Sequence, residues 1–392
     1  MLQLSMVHFN KGSYIFIEGN PCTDRFYIIK TGFVSCSRSR PGAEPEGFGP
    51  GDFIGVISCM SGFNQPETAI AATDVQAIAV RRDQYSELIQ NNTPVALKTI
   101  RSFANRMRTM NEKLTQLALS NVSVESPEQI FDVASYYDSV GDFDPAIFAY
   151  YQHLKVCPRG EHAEIAKKRF VVLKNASKAV YFEPTAETVR FYPKGTMVFS
   201  ECQSGQDMFI IQDGQVKITK IVNGTEVILA VLKKGDFFGE MALLENKPRS
   251  ASIIAFEDCY LMVVNRKNFD QMVASQPQLI SRLTKTLAER LWTMERQLNN
   301  ATLQDPVYKM IDMIALQLEK ERFVPTRTKV AKHFDFTPQD LANMTGIPLI
   351  NQRNVIEQFL RLDPVRVDEK GKVFVPDCAD ILKAAAFYRK QH

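Results

Sequence analysis

The chain has no CxxC pair, only one tryptophan, and no apolar run near the ~18 residues of a membrane span. Its seven cysteines (Cys22, Cys36, Cys59, Cys157, Cys202, Cys259 and Cys378) are scattered. An odd, unclustered set fits reduced thiols better than a disulfide framework or a zinc site. The five histidines are equally dispersed, so the sequence alone shows no metal constellation. The first residues, MLQLSMVHFNKGS, have no basic head before a long apolar core, and no secretory signal is expected. The expectation is a cytoplasmic protein without membrane contact. A net charge of +3 over 392 residues is too small to announce a nucleic-acid partner by itself. No Walker loop, nucleophilic triad or cleft-like carboxylate pair is present, and nothing points to an enzyme.

What is present is an internal repeat. Phe9–Gly12 resembles Tyr192–Gly195, and Phe26–Gly32 resembles Met208–Gly214. Gly51-Asp-Phe-Ile-Gly55 matches Gly235-Asp-Phe-Phe-Gly239. Pro66–Ala69 matches Pro248–Ala251, and Ala104–Met110 matches Ala288–Met294. Five matches in one order, at a nearly constant offset of about 183 residues, make a duplicated domain. Each copy shows short apolar runs punctuated by glycine turns, the pattern of antiparallel strands. A helical stripe follows, in the second copy Leu279, Leu283, Leu287, Leu291, Met294 and Leu298. That stripe pairs either with a second copy of the chain or with the equivalent helix near 103–117. The first choice is a homodimer; the second is a monomer with a pseudo-dimeric core.

The segment Phe238-Gly-Glu-Met-Ala-Leu-Leu-Glu-Asn-Lys-Pro-Arg-Ser-Ala-Ser252 carries the chemistry. A cyclic phosphate is a monoanion beside a ribose. It needs backbone N–H donors, a forked cation and an acceptor for the ribose hydroxyl. A helix start after Gly239 supplies donors, and glycine lets the backbone come close. Arg249 supplies the fork, Ser250 a hydroxyl, and Glu240 the ribose acceptor. The bland alternative is a structural Glu240–Arg249 ion pair. The segment resembles the phosphate-binding cassette of cyclic-nucleotide-binding domains. That resemblance implies ligand contacts from Phe238, Gly239, Glu240, Met241, Ala242, Arg249, Ser250 and Ala251, with Arg290, Thr293 and Met294 from the long helix. The implied ligand is cyclic AMP, with cyclic GMP or a cyclic dinucleotide as alternatives. In catabolite-activator-like proteins the long helix offers a Thr-Ser pair to the base; here Met294-Glu295 stand there, with Thr293 one place early. In the first copy Val56 replaces Glu240 and Glu67 replaces Arg249, so that copy is expected to bind no cyclic mononucleotide this way. Trp292, on the long helix, either caps a base or simply packs.

Two further segments complete the chain. Val133–Pro158 resembles one tetratricopeptide unit, through Tyr137, Gly141, Phe143, Ala146, Tyr150, Leu154 and Pro158. A single unit cannot bury its own face well, so it is expected to pack on a neighbouring domain or subunit. It is either a helical linker or a protein-binding groove. Near the end, Asp340–Leu360 has a helix-turn-helix layout, with Thr337 and Pro338 opening the first helix. Val365–Val375 reads as a hairpin wing. This order is that of the catabolite-activator family and implies DNA contacts from Asn351, Gln352, Arg353, Asn354, Arg361, Arg366, Lys370 and Lys372. A protein-contact role is the competing reading, because the module is nearly charge-balanced.

The expected fold is multidomain α+β. Residues 1–120 form a degenerate jelly-roll-like β-roll with its long helix, and 121–177 a small α-helical insert. Residues 178–303 form the ligand-binding β-roll with its helix, and 304–392 a winged-helix-like module. The expected function is a ligand-responsive transcription regulator, with a sensory scaffold as the alternative.

Overall fold

The computed structural model describes residues 3–118, 126–222, 224–240 and 248–390. Two compact units share the chain. One comprises Met1–Leu88, Thr109–Val122 and Leu287–His392; the other comprises Ile89–Arg108 and Ser123–Thr286. Among the described residues no helix is long and apolar enough to cross a membrane.

The first unit holds a β-roll of two four-stranded antiparallel sheets. One sheet orders Ser5–Phe9, Val75–Arg81, Arg25–Thr31 and Phe53–Ile54. The other orders Tyr14–Phe16, Thr68–Ala71, Val34–Ser37 and Glu46–Phe48. Alternation turns Val75 and Ala77 inward, where they join Ile29, Val34, Cys36 and Ile54.

The second unit repeats that order of strands. One sheet runs Phe237–Phe238, Met208–Asp213, Cys259–Val264 and Val189–Tyr192. Its partner runs Met197–Phe199, Ser252–Ala255, Gln215–Val222 and Thr225–Lys233. Even the irregularities recur. A register shift between Ile29 and Thr31 has its twin between Ile211 and Asp213. The Gly51 and Gly235 amides donate to Ile29 and Ile211 carbonyls, at 2.7 and 2.8 Å. The repeated Gly-Asp-Phe motif is therefore a repeated turn.

Helices Gln129–Ser139, Phe143–Val156 and Ala163–Leu173 form the insert. Its apolar face is not left open. Phe131, Tyr137, Phe148 and Tyr150 share one core with Met197, Cys202 and Ile254 of the second roll. The Tyr137 hydroxyl donates to Glu226 at 2.8 Å, which anchors the insert to a strand of that roll. These helices bury that face against the second roll.

Two 26-residue helices, Thr93–Ala118 and Pro277–Thr302, carry the long stripes. Leu283, Leu287, Leu291, Met294 and Leu298 are all buried within the single chain, as are Phe103, Ala104, Met107 and Met110.

The C-terminal part of the first unit has helices Pro306–Lys320, Pro338–Met344, Leu349–Phe359 and Cys378–Lys390. A small sheet orders Lys332–His333, Val373–Val375 and Arg366–Val367. Thr337 caps its helix by accepting from the Asp340 amide, while Asp340 accepts from the Thr337 amide.

Candidate ligand site in the second roll

The site is built on an aromatic wall. Phe238 stacks on Phe209 at 5.2 Å, and both lie near Phe199. Arg249 lays its guanidinium over the Phe199 ring at 4.1 Å, a cation–π contact. The Gly239 carbonyl accepts from Arg249 Nη1 at 2.9 Å. The main chain is fixed as well: the Arg249 amide donates to Gln203, and the Cys202 amide donates to Arg249, at 2.9 and 2.8 Å. Two glycines leave room for the guanidinium. A Cβ at Gly205 would stand 2.6 Å from Nη2, and one at Gly239 2.8 Å from Nη1.

This cation is buried and under-satisfied. Arg249 is 5% exposed, and its Nε has no hydrogen-bond partner. Among the described residues no ion pair of its guanidinium is seen within 4 Å. Burial pushes its pKa down to about 10, against the pull of Asp207 and Glu240. A charge held out of water with open donors is costly unless an anion arrives. Glu240 is buried beside it, Ser250 is half-buried and Ala251 is buried. Met241 and Ala242 lie outside the described residues. Arg290, Thr293 and Met294 fall in the other compact unit. The Thr293 hydroxyl donates to its own helix at the Glu289 carbonyl, 2.9 Å away, and Met294 is buried.

The first roll has inverted the charge at this place. Glu67, buried at 4% exposure, accepts from Arg38 Nη2 at 2.7 Å. Arg38 also pairs with Glu46 at 3.2 Å and with Glu295 at 2.9 Å. Arg40 closes on the other oxygen of Glu295. Burial alone would lower the Arg38 pKa; the carboxylates Glu67, Glu295 and Glu46 outweigh it and raise it. One turn away Trp292 stacks on Phe63 at 4.2 Å and donates to the Asn64 carbonyl at 3.0 Å. The tryptophan packs on the first roll. Sequence reasoning missed Glu295 as a partner of this roll. The available signal was the Arg38/Arg40 pair, set two apart just after the strand Val34–Ser37, in need of an acid.

The cyclic nucleotide-binding domain family matches the chain twice, at residues 6–92 and 189–276. The chain carries two cyclic nucleotide-binding domains. The second of them has the buried arginine; the first has the closed ion network. The chain is similar to the cyclic AMP receptor protein of Thermus thermophilus, 32% identical over 30% of this chain and 54% of that protein. It is 28% identical to mouse cGMP-dependent protein kinase 2, over 48% of this chain and 24% of the kinase. The chain thus spans about half and about a quarter of those two relatives. The cAMP-activated global transcriptional regulator CRP of Pasteurella multocida is 28% identical, over 47% of this chain and 87% of that protein. Among solved structures, the Thermus thermophilus catabolite activator protein is 26% identical over 51% of this chain and 90% of that one, with a TM-score of 0.29.

Gly205 gives a direct check on the second domain. Gly205→Ala places a methyl against the guanidinium and is expected to displace it, at a cost of about 1–3 kcal/mol. Calorimetric titration should then show cyclic-nucleotide affinity reduced by roughly 5- to 150-fold. Unchanged affinity would mean that the guanidinium does not face the ligand.

At the C-terminal end the structure corrects one residue. Gln352 is buried at 4% exposure; it donates to the Ile347 carbonyl at 2.8 Å and to Asn343 at 2.9 Å, and also meets Gln339. Its amide satisfies the inside of the two-helix turn, so it cannot also read a base. Asn351, Arg353 and Asn354 are exposed on the same helix, and so are Arg361, Arg366 and Lys370 beyond it. Lys372 is half-buried and bound to Asp335 at 2.8 Å. Ile350 is 92% exposed.

The fold also brings dispersed metal-ligating residues together. One ligand atom each from Glu128, His153 and Cys157 come within 4.8 Å of one another. Spacing held the missed signal: His153 and Cys157 stand four apart, with His162 just beyond.

Proposed function

We propose that the chain is a cyclic-nucleotide-responsive transcription regulator, with ligand sensed by the second domain and DNA bound by a winged helix-turn-helix at 304–392. The observation that carries the sensing step is the buried Arg249 with its unpartnered Nε. Cyclic AMP is the proposed ligand. Its phosphate would meet Arg249, the Ser250 hydroxyl and the backbone after Gly239; its ribose hydroxyl would meet Glu240. Calorimetric titration of the full chain with cyclic AMP and cyclic GMP tests this. One site per chain is expected, because Glu67 and Arg38 close the first domain. Two sites, or none, would sink the reading.

The relay would pass along Pro277–Thr302 into the C-terminal module. For DNA, Arg353 is the strongest single candidate, since its side chain is 94% exposed and only loosely held by Glu357 at 3.4 Å. Arg353→Ala is expected to weaken duplex binding by about 1–3 kcal/mol if it reads a base edge. A gel shift across a salt series measures both the loss and the log–log slope. Complete absence of duplex binding by the native chain would favour the second reading, a sensor acting through protein contacts. The exposed Ile350 is the observation that favours it.

A further inference from the structure

Where the three insert helices meet, Glu128, His153 and Cys157 come together, and His162 stands beside Glu128. Glu128 precedes the helix Gln129–Ser139 as its N-cap. His153 sits in the last turn of Phe143–Val156, and Cys157 is that helix's C-cap. His162 is the N-cap of Ala163–Leu173. Glu128 Oε2 lies 3.8 Å from His153 Nε2 and 3.9 Å from His162 Nδ1. Those distances are too long for hydrogen bonds. They are close to the ligand–ligand edges of a tetrahedral zinc site, about 3.3–3.6 Å for bonds of 2.0–2.3 Å.

The histidine ring and one carboxylate oxygen are unsatisfied as they stand. His153 is fully buried, yet neither ring nitrogen has a hydrogen-bond partner, and neither does Glu128 Oε2. A buried imidazole without partners is what an ion would explain. The surroundings leave room for the carboxylate: a Cβ at Gly160 would collide with Glu128 Oε1. Phe131 walls the cluster on one side, stacked on His162 at 4.2 Å. One thiolate, two imidazoles and one carboxylate suit zinc rather than the hard, all-oxygen cations.

We propose that Glu128, His153, Cys157 and His162 form a four-coordinate site for a zinc-class divalent cation, clipping the three insert helices together at their ends. Binding converts the Cys157 thiol to a thiolate and releases its proton to solvent; no oxidation state changes. The site stands one residue from Gln129, which accepts from the Cys202 thiol at 3.2 Å behind the Arg249 main chain.

The test is titration of the metal-free full chain with cobalt(II), followed by zinc competition. The expected result is one cobalt per chain, with sulfur-to-metal charge-transfer absorption and the intense ligand-field bands of four-coordinate geometry, all removed by zinc. Cys157→Ser should abolish the charge-transfer band, and Cys22→Ser should leave it intact. His153→Ala should lower affinity at least about tenfold. Since a buried histidine can matter for folding alone, the partly exposed His162→Ala is the second variant, with the same loss expected and native circular dichroism retained. A folded chain that binds no cobalt overturns the proposal, and so does a spectrum indifferent to Cys157→Ser.

Discussion

Arg249→Met should abolish measurable cyclic-nucleotide binding while leaving the ligand-free protein as stable as before, or more so. The two halves of this expectation come from one fact. The guanidinium is 5% exposed, stacked on Phe199, and among the described residues holds one side-chain hydrogen bond, to the Gly239 carbonyl. Truncating one partner of a buried, hydrogen-bonded charge pair costs about 2–5 kcal/mol of binding. That is roughly a 30- to 4,000-fold rise in Kd. Without ligand the same charge has no ion pair among the described residues, and burial has already lowered its pKa to about 10. Methionine keeps much of the volume and removes the desolvation cost. Scanning calorimetry with and without cyclic AMP reads both effects. The native chain should gain Tm with ligand by mass action, and the variant should not. A variant that loses several degrees of Tm yet binds normally would make Arg249 a structural residue and end the sensing proposal.

The duplication, the glycine turns and the cassette were legible because they are local: a tight turn needs its glycine, and a phosphate site needs its residues close in sequence. Glu67 in place of Arg249 was equally readable as a lost cation. What replaced it was not. Arg38, Glu67 and Glu295 are brought together by the ends of two strands and a helix from the far end of the chain, and no spacing rule links them. The insert's donors fell between these cases. His153 and Cys157 share a helical turn and were near in sequence, but Glu128 reaches them only through the helical hairpin. Gln352 was misassigned because its position on a reading helix says nothing about which way the amide turns. Its hydrogen bonds to Ile347 and Asn343 settle that.

Asp312→Asn should lower stability by about 3–5 kcal/mol, the cost of breaking a buried ion pair from one side. Asp312 is fully buried and accepts from Arg389 Nε at 2.5 Å, Arg296 Nη2 at 3.2 Å and Asn300 at 3.2 Å. Glu319 accepts from Arg296 Nε and Arg389 Nη2, at 2.7 and 3.0 Å. The network therefore joins three helices: Pro277–Thr302, Pro306–Lys320 and Cys378–Lys390. Burial alone would raise the Asp312 pKa, but Arg296 and Arg389 outweigh it and hold the carboxyl below its ordinary value. A depressed folded pKa means that this stabilisation is present above the unfolded pKa of about 4 and is lost as pH falls through the folded value. The native chain and Asp312→Asn should accordingly differ most in Tm at neutral pH and converge in acid. If the network is also the relay, Asp312→Asn should shrink the ligand-induced change in DNA affinity, and DNA should change ligand affinity by the same reduced factor, since coupling is reciprocal. Loss of stability with coupling intact would assign the network to holding the module in place and put the relay elsewhere on the helix.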